Sequence, residues 1–240
     1  MARSARIVIP GLPHHVVQRG NRKQKVFFQD DDYRFYKYLL KKECAEVGIE
    51  IWAYCLMPNH VHLILVPSEV DHLALVLSQT HRQYTRMINS RENWTGYLWQ
   101  GRFQSYPMQD TYLLRAVRYI ELNPVRAGIV NSPEKYPWSS AGAHFDGKDD
   151  GLVIVAPVLE RTENYPGFLA EGVKQETVER PAFHARTGRV LGDTEFLREL
   201  ESMTGHAMIP AKRGRKPGMQ FKDGYSKHHD QHINPRHGDK

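Results

Sequence analysis

Residues 49–66 constrain the fold more than any other stretch of the chain. Two runs of strand-forming residues, 49–56 and 60–66, are separated only by Met57-Pro58-Asn59, so they must pair as an antiparallel hairpin. The second run, HVHLILV, loses its alternation from Leu63 to Val66, which reads as a strand buried on both faces and therefore central. A helical pattern flanks the hairpin on each side. Upstream, Asp30-Asp31-Asp32 supplies an acidic helix start, and Phe35, Leu39, Leu40, Cys44 and Val47 continue the apolar spacing to Gly48. Downstream, Pro67-Ser68 ends the strand and caps a second helix over residues 69–89. A His-rich, β-branched run at 7–19, and a run at 97–107 with Trp99, Phe103 and Tyr106, read as two further strands. A helix from Asp110 must stop near Asn123, because Pro124 disfavours helical geometry in the residue before it. The order β-α-β-β-α-β is that of the split βαβ: an α+β, ferredoxin-like antiparallel sheet with helices on one face.

The chain has 240 residues, enough for one core and a small appendage. The first domain is expected over residues 1–143, ending after the turn-rich segment 133–142. An acidic, partly helical accessory segment follows at 144–210, with its clearest helix at 193–203 and Asp193 as N-cap. Residues 211–240, rich in Lys, Gly, His and Pro, read as a disordered basic tail. The net charge of +6 is unevenly spread. Residues 1–29 hold six Lys/Arg and no acid, residues 82–126 hold seven Arg, no Lys and three acids, and residues 145–204 hold twelve acids against seven bases. Arginine without lysine in the middle patch suits bidentate phosphate recognition. No apolar run approaches the ~18–20 residues of a membrane span, and the N-terminal apolar stretch is too short for a signal peptide. Cys44 and Cys55 have no metal-ligand spacing and read as buried thiols. These features point to a cytoplasmic protein with no membrane partner.

Two clusters could carry chemistry. His60 and His62 are two apart on the central strand, so both imidazoles face one side, about 6.7 Å apart at Cα, and can converge on one metal ion. On the helix from Asp110, Leu113, Val117 and Ile120 form an apolar stripe. Tyr119 lies about 100° from that stripe, with Arg115 and Asn123 at i−4 and i+4, and Tyr112 on the same side. Tyrosine is a competent nucleophile toward phosphodiesters once its proton is lost, and an adjacent cation favours that loss.

Five spaced segments, 13–36, 53–65 (AYCLMPNHVHLIL), 96–105 (GYLWQGRFQS), 112–130 (YLLRAVRYIELNPVRAGIV) and 136–141 (YPWSSA), resemble the single-tyrosine HUH transposases, and more narrowly their REP-associated branch. The resemblance covers residues 10–142. It implies that His60-Val61-His62 is the histidine–hydrophobic–histidine motif, that Tyr119 is the nucleophile and that Asn123 is the third metal ligand. Insertion-sequence members usually carry Gln at that third position and the REP-associated branch carries Asn, as here. The implied reaction is cleavage of single-stranded DNA at hairpin-forming repeats, dependent on Mg²⁺ or Mn²⁺, through a 5′-phosphotyrosine that a second 3′-OH can reverse. The protein would act as a monomer or homodimer.

A single strand needs a basic groove and stacking platforms. Arg19, Arg22 and Lys23, together with Arg102 beside Trp99 and Phe103, are the candidates, and Arg115 joins them on the tyrosine helix. The basic run 211–218 resembles a minor-groove arm. The alternative is a non-catalytic single-stranded nucleic-acid-binding protein on the same sheet, which would bind tightly but form no adduct.

Overall fold

The computed structural model describes residues 6–174 and 190–208. The basic tail expected at 211–240 lies outside them, as do residues 175–189 and 209–210 of the expected accessory segment.

Four strands, β1 (His14–Arg19), β2 (Glu50–Met57), β3 (His60–Val66) and β4 (Gln104–Pro107), form one sheet in the order β2-β3-β1-β4 with every neighbouring pair antiparallel. This is the expected ferredoxin-like arrangement. β3 lies inside the sheet, as the loss of alternation after His62 required. The β4 run is shorter than the expected 97–107. Trp99 makes only an isolated bridge to Gly20, and the chain then turns at Gly101, whose φ of +62° is left-handed.

Pleating sorts the side chains onto two faces. Val16 of β1, Tyr54 and Leu56 of β2, and Val61, Leu63 and Leu65 of β3 form one core with the helices α1 (Asp30–Val47) and α2 (His72–Glu92). Those two helices are the pair expected on one face. Ala53, Cys55, Met57, Ile64 and Tyr106 line the other face, where Leu113, Ala116, Val117 and Ile120 of α3 (Asp110–Glu121) pack on them. The apolar stripe read from the sequence is thus the buried side of α3. A one-turn helix, α4 (Asn123–Arg126), follows with Pro124 in its first turn.

Local chemistry fixes the helix ends. Asp32 caps α1 by accepting from Phe28 N (2.8 Å) and Gln29 N (3.2 Å), and Gly48 closes it in the left-handed conformation. Asp32 is buried and also pairs with Arg91 near the end of α2, so one carboxylate staples both helices. Beyond α3, the elements α5 (Ala141–Asp146), α6 (Ala156–Leu159), α7 (Tyr165–Lys174) and α8 (Thr194–Thr204) follow. Leu152, Val153 and Val155 enter the α1/α2 core, while Val158, Tyr165 and Leu169 enter the α3 core. Asp193 caps α8 through Phe196 N (2.9 Å), as its sequence position suggested. Among the described residues, no helix is long and apolar enough to cross a membrane.

Two histidines, His14 buried and His81 half-buried, make stability depend on pH. His14 donates from Nδ1 to Leu12 O (2.8 Å) and accepts at Nε2 from Ile9 N (3.1 Å), a pattern only the neutral ring satisfies. Burial lowers its pKa from 6.5 to about 4, and that of His81, bonded to Tyr36 Oη at 3.0 Å, to about 3. Between pH 6.5 and 4 the unfolded chain therefore binds protons that the folded chain refuses. Urea unfolding should show stability constant above neutrality and falling as pH drops through that window, by roughly 3 kcal/mol for His14 alone. A pH-independent midpoint down to pH 4 would contradict this.

Candidate active site

The sheet register builds the site. His60 stands opposite Arg19 of β1 and Met57 of β2, and His62 opposite Val17 and Cys55. Both imidazoles therefore lie on the face that α3 covers. His62 is buried and His60 half-buried, with ring centroids 4.9 Å apart and planes nearly perpendicular.

Tyr119 comes to the same place from α3. With Leu113, Val117 and Ile120 anchored on the sheet, the neighbouring helix face carries Tyr119 over the histidines. Its ring lies 5.7 Å from that of His62, at 90°. Asn123, one turn on, donates its amide hydrogens to Tyr119 O (2.9 Å) and Ile120 O (3.3 Å), so its nitrogen faces the end of α3. His60, His62 and Tyr119 are thus brought into ring contact, and Asn123 is tied to the tyrosine's own backbone.

Four residues not anticipated from the sequence complete the surroundings. His15 of β1 is buried, and its Nε2 lies 2.9 Å from His62 Nδ1, the two rings stacked with centroids 5.1 Å apart. It is also 6.3 Å from the Tyr119 ring. Asn59 Oδ1 lies 2.6 Å from His60 Nδ1. Arg126 places its guanidinium 4.6 Å from the Tyr119 ring centroid and donates from Nη2 to Tyr119 O (2.8 Å). Glu121, between Tyr119 and Asn123, is wholly buried. It accepts from Ser140 Oγ (2.5 Å) and from Tyr165 Oη, and bonds His144 Nδ1 (2.7 Å). Burial and the carboxylate together hold the Tyr165 phenol well above its ordinary pKa. The only available sequence signals were weak. His15 has the parity of the strand face that meets His62, Asn59 adjoins His60, and Arg126 falls two turns after Tyr119.

The cationic candidates fall in two places. Arg19 is half-buried opposite His60, while Arg22, Lys23 and Arg102 are exposed. Arg115 is exposed on α3, its guanidinium 6.0 Å from the Tyr112 ring centroid. The aromatic candidates do not serve as platforms: Trp99 and Phe103 are only 7% and 9% exposed and belong to the α1/α2 core.

Comparison with known proteins points to one kind of relative. Residues 9–123 match the family model described as Transposase IS200 like. A REP-associated tyrosine transposase of Haemophilus influenzae is 29% identical over 111 residues, which is 42% of this chain and 63% of that protein. The chain thus spans less than two thirds of that relative's length. A REP-associated tyrosine transposase of Escherichia coli K12 is 27% identical over 124 residues, 51% of this chain and 70% of that protein. A solved REP-associated tyrosine transposase bound to a REP hairpin shares the fold, with a TM-score of 0.52 at 24% identity, over 64% of this chain and 89% of that one.

The Glu121 cluster ties α3 to α5 and α7, so its loss should loosen the helix that carries Tyr119. Glu121→Ala leaves three buried partners without their acceptor and should cost about 3 kcal/mol in denaturant unfolding. A loss below about 1 kcal/mol would show that the cluster does not anchor the helix.

Proposed function

We propose, from the match of residues 9–123 to the IS200-like transposase family and the likeness to two REP-associated tyrosine transposases, that the chain is a metal-dependent single-stranded DNA endonuclease and strand transferase of that family. The observation that carries this reading is the Tyr119 ring standing perpendicular to His62, 5.7 Å away, beside His60 on one sheet face. The hairpin bound by the solved neighbour supports a hairpin-forming, single-stranded repeat as substrate.

The donor set fits a divalent ion. Nδ1 of His60 is engaged by Asn59 and Nδ1 of His62 by His15, so Nε2 is the nitrogen through which each ring would ligate. Among the described residues, no group of three His, Cys, Asp or Glu side chains could hold a metal. We assign the third ligand to the Asn123 carbonyl oxygen, as the family resemblance implies; its amide nitrogen is already directed to the helix, which leaves that oxygen free of the α3 backbone. Three neutral ligands leave the ion's charge uncompensated, which favours its binding together with a phosphate. The chemistry a Mg²⁺ or Mn²⁺ ion supplies at this place is Lewis-acid polarisation of a non-bridging phosphate oxygen.

Tyr119 is the nucleophile. Its Oη gives up a proton and attacks phosphorus in line; the new P–O bond to tyrosine forms as the bond to the 3′ oxygen breaks, leaving a 5′-phosphotyrosine and a 3′-OH. Arg126 over the ring stabilises the phenolate, whose charge is spread into the aromatic system. Attack by a second 3′-OH reverses the step and rejoins a strand. His15 orients His62. For His62 Nε2 to ligate, His62 Nδ1 must carry the proton and donate it to His15 Nε2.

Two measurements test this. The protein is incubated with labelled hairpin oligonucleotides and either Mn²⁺ or EDTA, then run on denaturing gels beside Tyr119→Phe. A metal-dependent adduct absent from the variant is expected; binding without any adduct would favour the non-catalytic alternative. Calorimetric titration with Mn²⁺ should show His15→Phe weakening affinity about 10–100-fold with the fold intact, and His15→Gln less so. Equal affinity in all three proteins would remove His15 from the site.

A further inference from the structure

The loop after β1 and the loop before β4 meet at the end of the sheet that carries His60. Asn21 donates from its backbone to Leu98 O (2.8 Å) and from its side chain to Tyr97 O (3.4 Å). Gly20 N donates to Asn59 O (2.8 Å), and Asn59 Nδ2 to Lys23 O (3.2 Å). Asn59 is also the partner of His60 Nδ1, so one side chain joins the Lys23 backbone to a candidate metal ligand.

The first loop is wound tightly and under strain. Arg22 and Lys23 both have left-handed φ angles, +52° and +62°, a conformation non-glycine residues rarely adopt and one that concentrates at functional sites. Gly20 is required beneath them, because a Cβ there would lie 2.3 Å from Gln24 O. The result is a rigid presentation of two exposed cations. Lys25 and Arg102 stand exposed nearby in sequence or space, and none of the four has an acidic partner among the described residues.

The second loop supplies the aromatic surface. Tyr97 is 87% exposed, and Trp94 (44%) and Phe28 (41%) meet edge to face with centroids 5.6 Å apart. Single exposed apolar side chains are ordinary. A tyrosine held out from a loop hydrogen-bonded to the one that carries these cations, with Lys23 joined through Asn59 to His60, is the combination that binds single-stranded nucleic acid: cations for phosphates, ring faces for bases.

We propose that this corner is a subsite for unpaired nucleotides adjoining the scissile phosphate, with Arg22 and Lys23 holding phosphates and the Tyr97 ring stacking on a base. This rests on the reading that the chain acts on single-stranded DNA.

The test is fluorescence anisotropy with the full chain, EDTA and a labelled unstructured oligodeoxynucleotide of about 12 nucleotides, beside a duplex of equal length. Tyr97→Ala should weaken single-strand binding about tenfold and leave duplex binding unchanged, and Tyr97→Trp should restore it. Arg22→Gln should reduce the slope of log affinity against log salt by about 0.7. If wild type binds and forms the covalent adduct while Tyr97→Ala binds equally well, or if strand and duplex weaken together, the subsite is wrong and the enzymatic reading stands. If wild type binds no single strand, both fall.

Discussion

In the β1–β3–β2 ladder, the two-residue period of a strand decides which side chains share a face. The pairing of Val17 and Cys55 with His62, and of Arg19 and Met57 with His60, sets both imidazoles toward α3. A slip of one residue would turn them into the α1/α2 core and present Val61 and Leu63 instead. Burial prevents that slip, because Val61, Leu63 and Leu65 are wholly enclosed on the opposite face. The hydrophobic effect on one side of the sheet thus fixes the chemistry on the other. The same logic holds for α3, whose buried stripe leaves Tyr119 one fixed place to stand.

Polar groups then refine what burial positions. Asn59 and His15 each engage one nitrogen of a site histidine, and Asn123 turns its amide nitrogen back onto α3. Glu121 locks the same helix end against α5 and α7 from within the core. All of these sit on regular elements or their immediate ends rather than on long loops, which is how a reacting constellation keeps its geometry. In the proposed reading the strand is taken up by the two loops at the His60 end, where left-handed backbone and cross-loop hydrogen bonds hold the cations in place.

Local signals made much of this legible in the sequence. The short turn at Met57-Pro58-Asn59, the acidic start at Asp30, the stop at Gly48, the cap at Asp193 and the period of Leu113, Val117 and Ile120 each depend on neighbours within a few residues, and each element appears where those signals put it. What depends on distant pairing was not legible. His15 reaches His62 across 47 positions and Glu121 reaches Tyr165 across 44, and no local pattern encodes those meetings. Aromatic content did not separate inside from outside either: Trp99 and Phe103 went to the core, while Tyr97 stayed exposed. The strand expected at 97–107 was too long because the Gly101 turn interrupts a run whose composition favours extension throughout.

In the proposed site one divalent ion meets both imidazoles of β3 beneath Tyr119. Pulsed electron paramagnetic resonance of the protein loaded with one equivalent of Mn²⁺ tests it directly, since ligating imidazole nitrogens couple to the electron spin. Couplings from two nitrogens are expected in wild type, and from one in His60→Ala and in His62→Ala. A Mn²⁺ ion showing no nitrogen coupling, or couplings that survive both substitutions, would place the metal elsewhere and contradict the assignment of this face as the reacting centre.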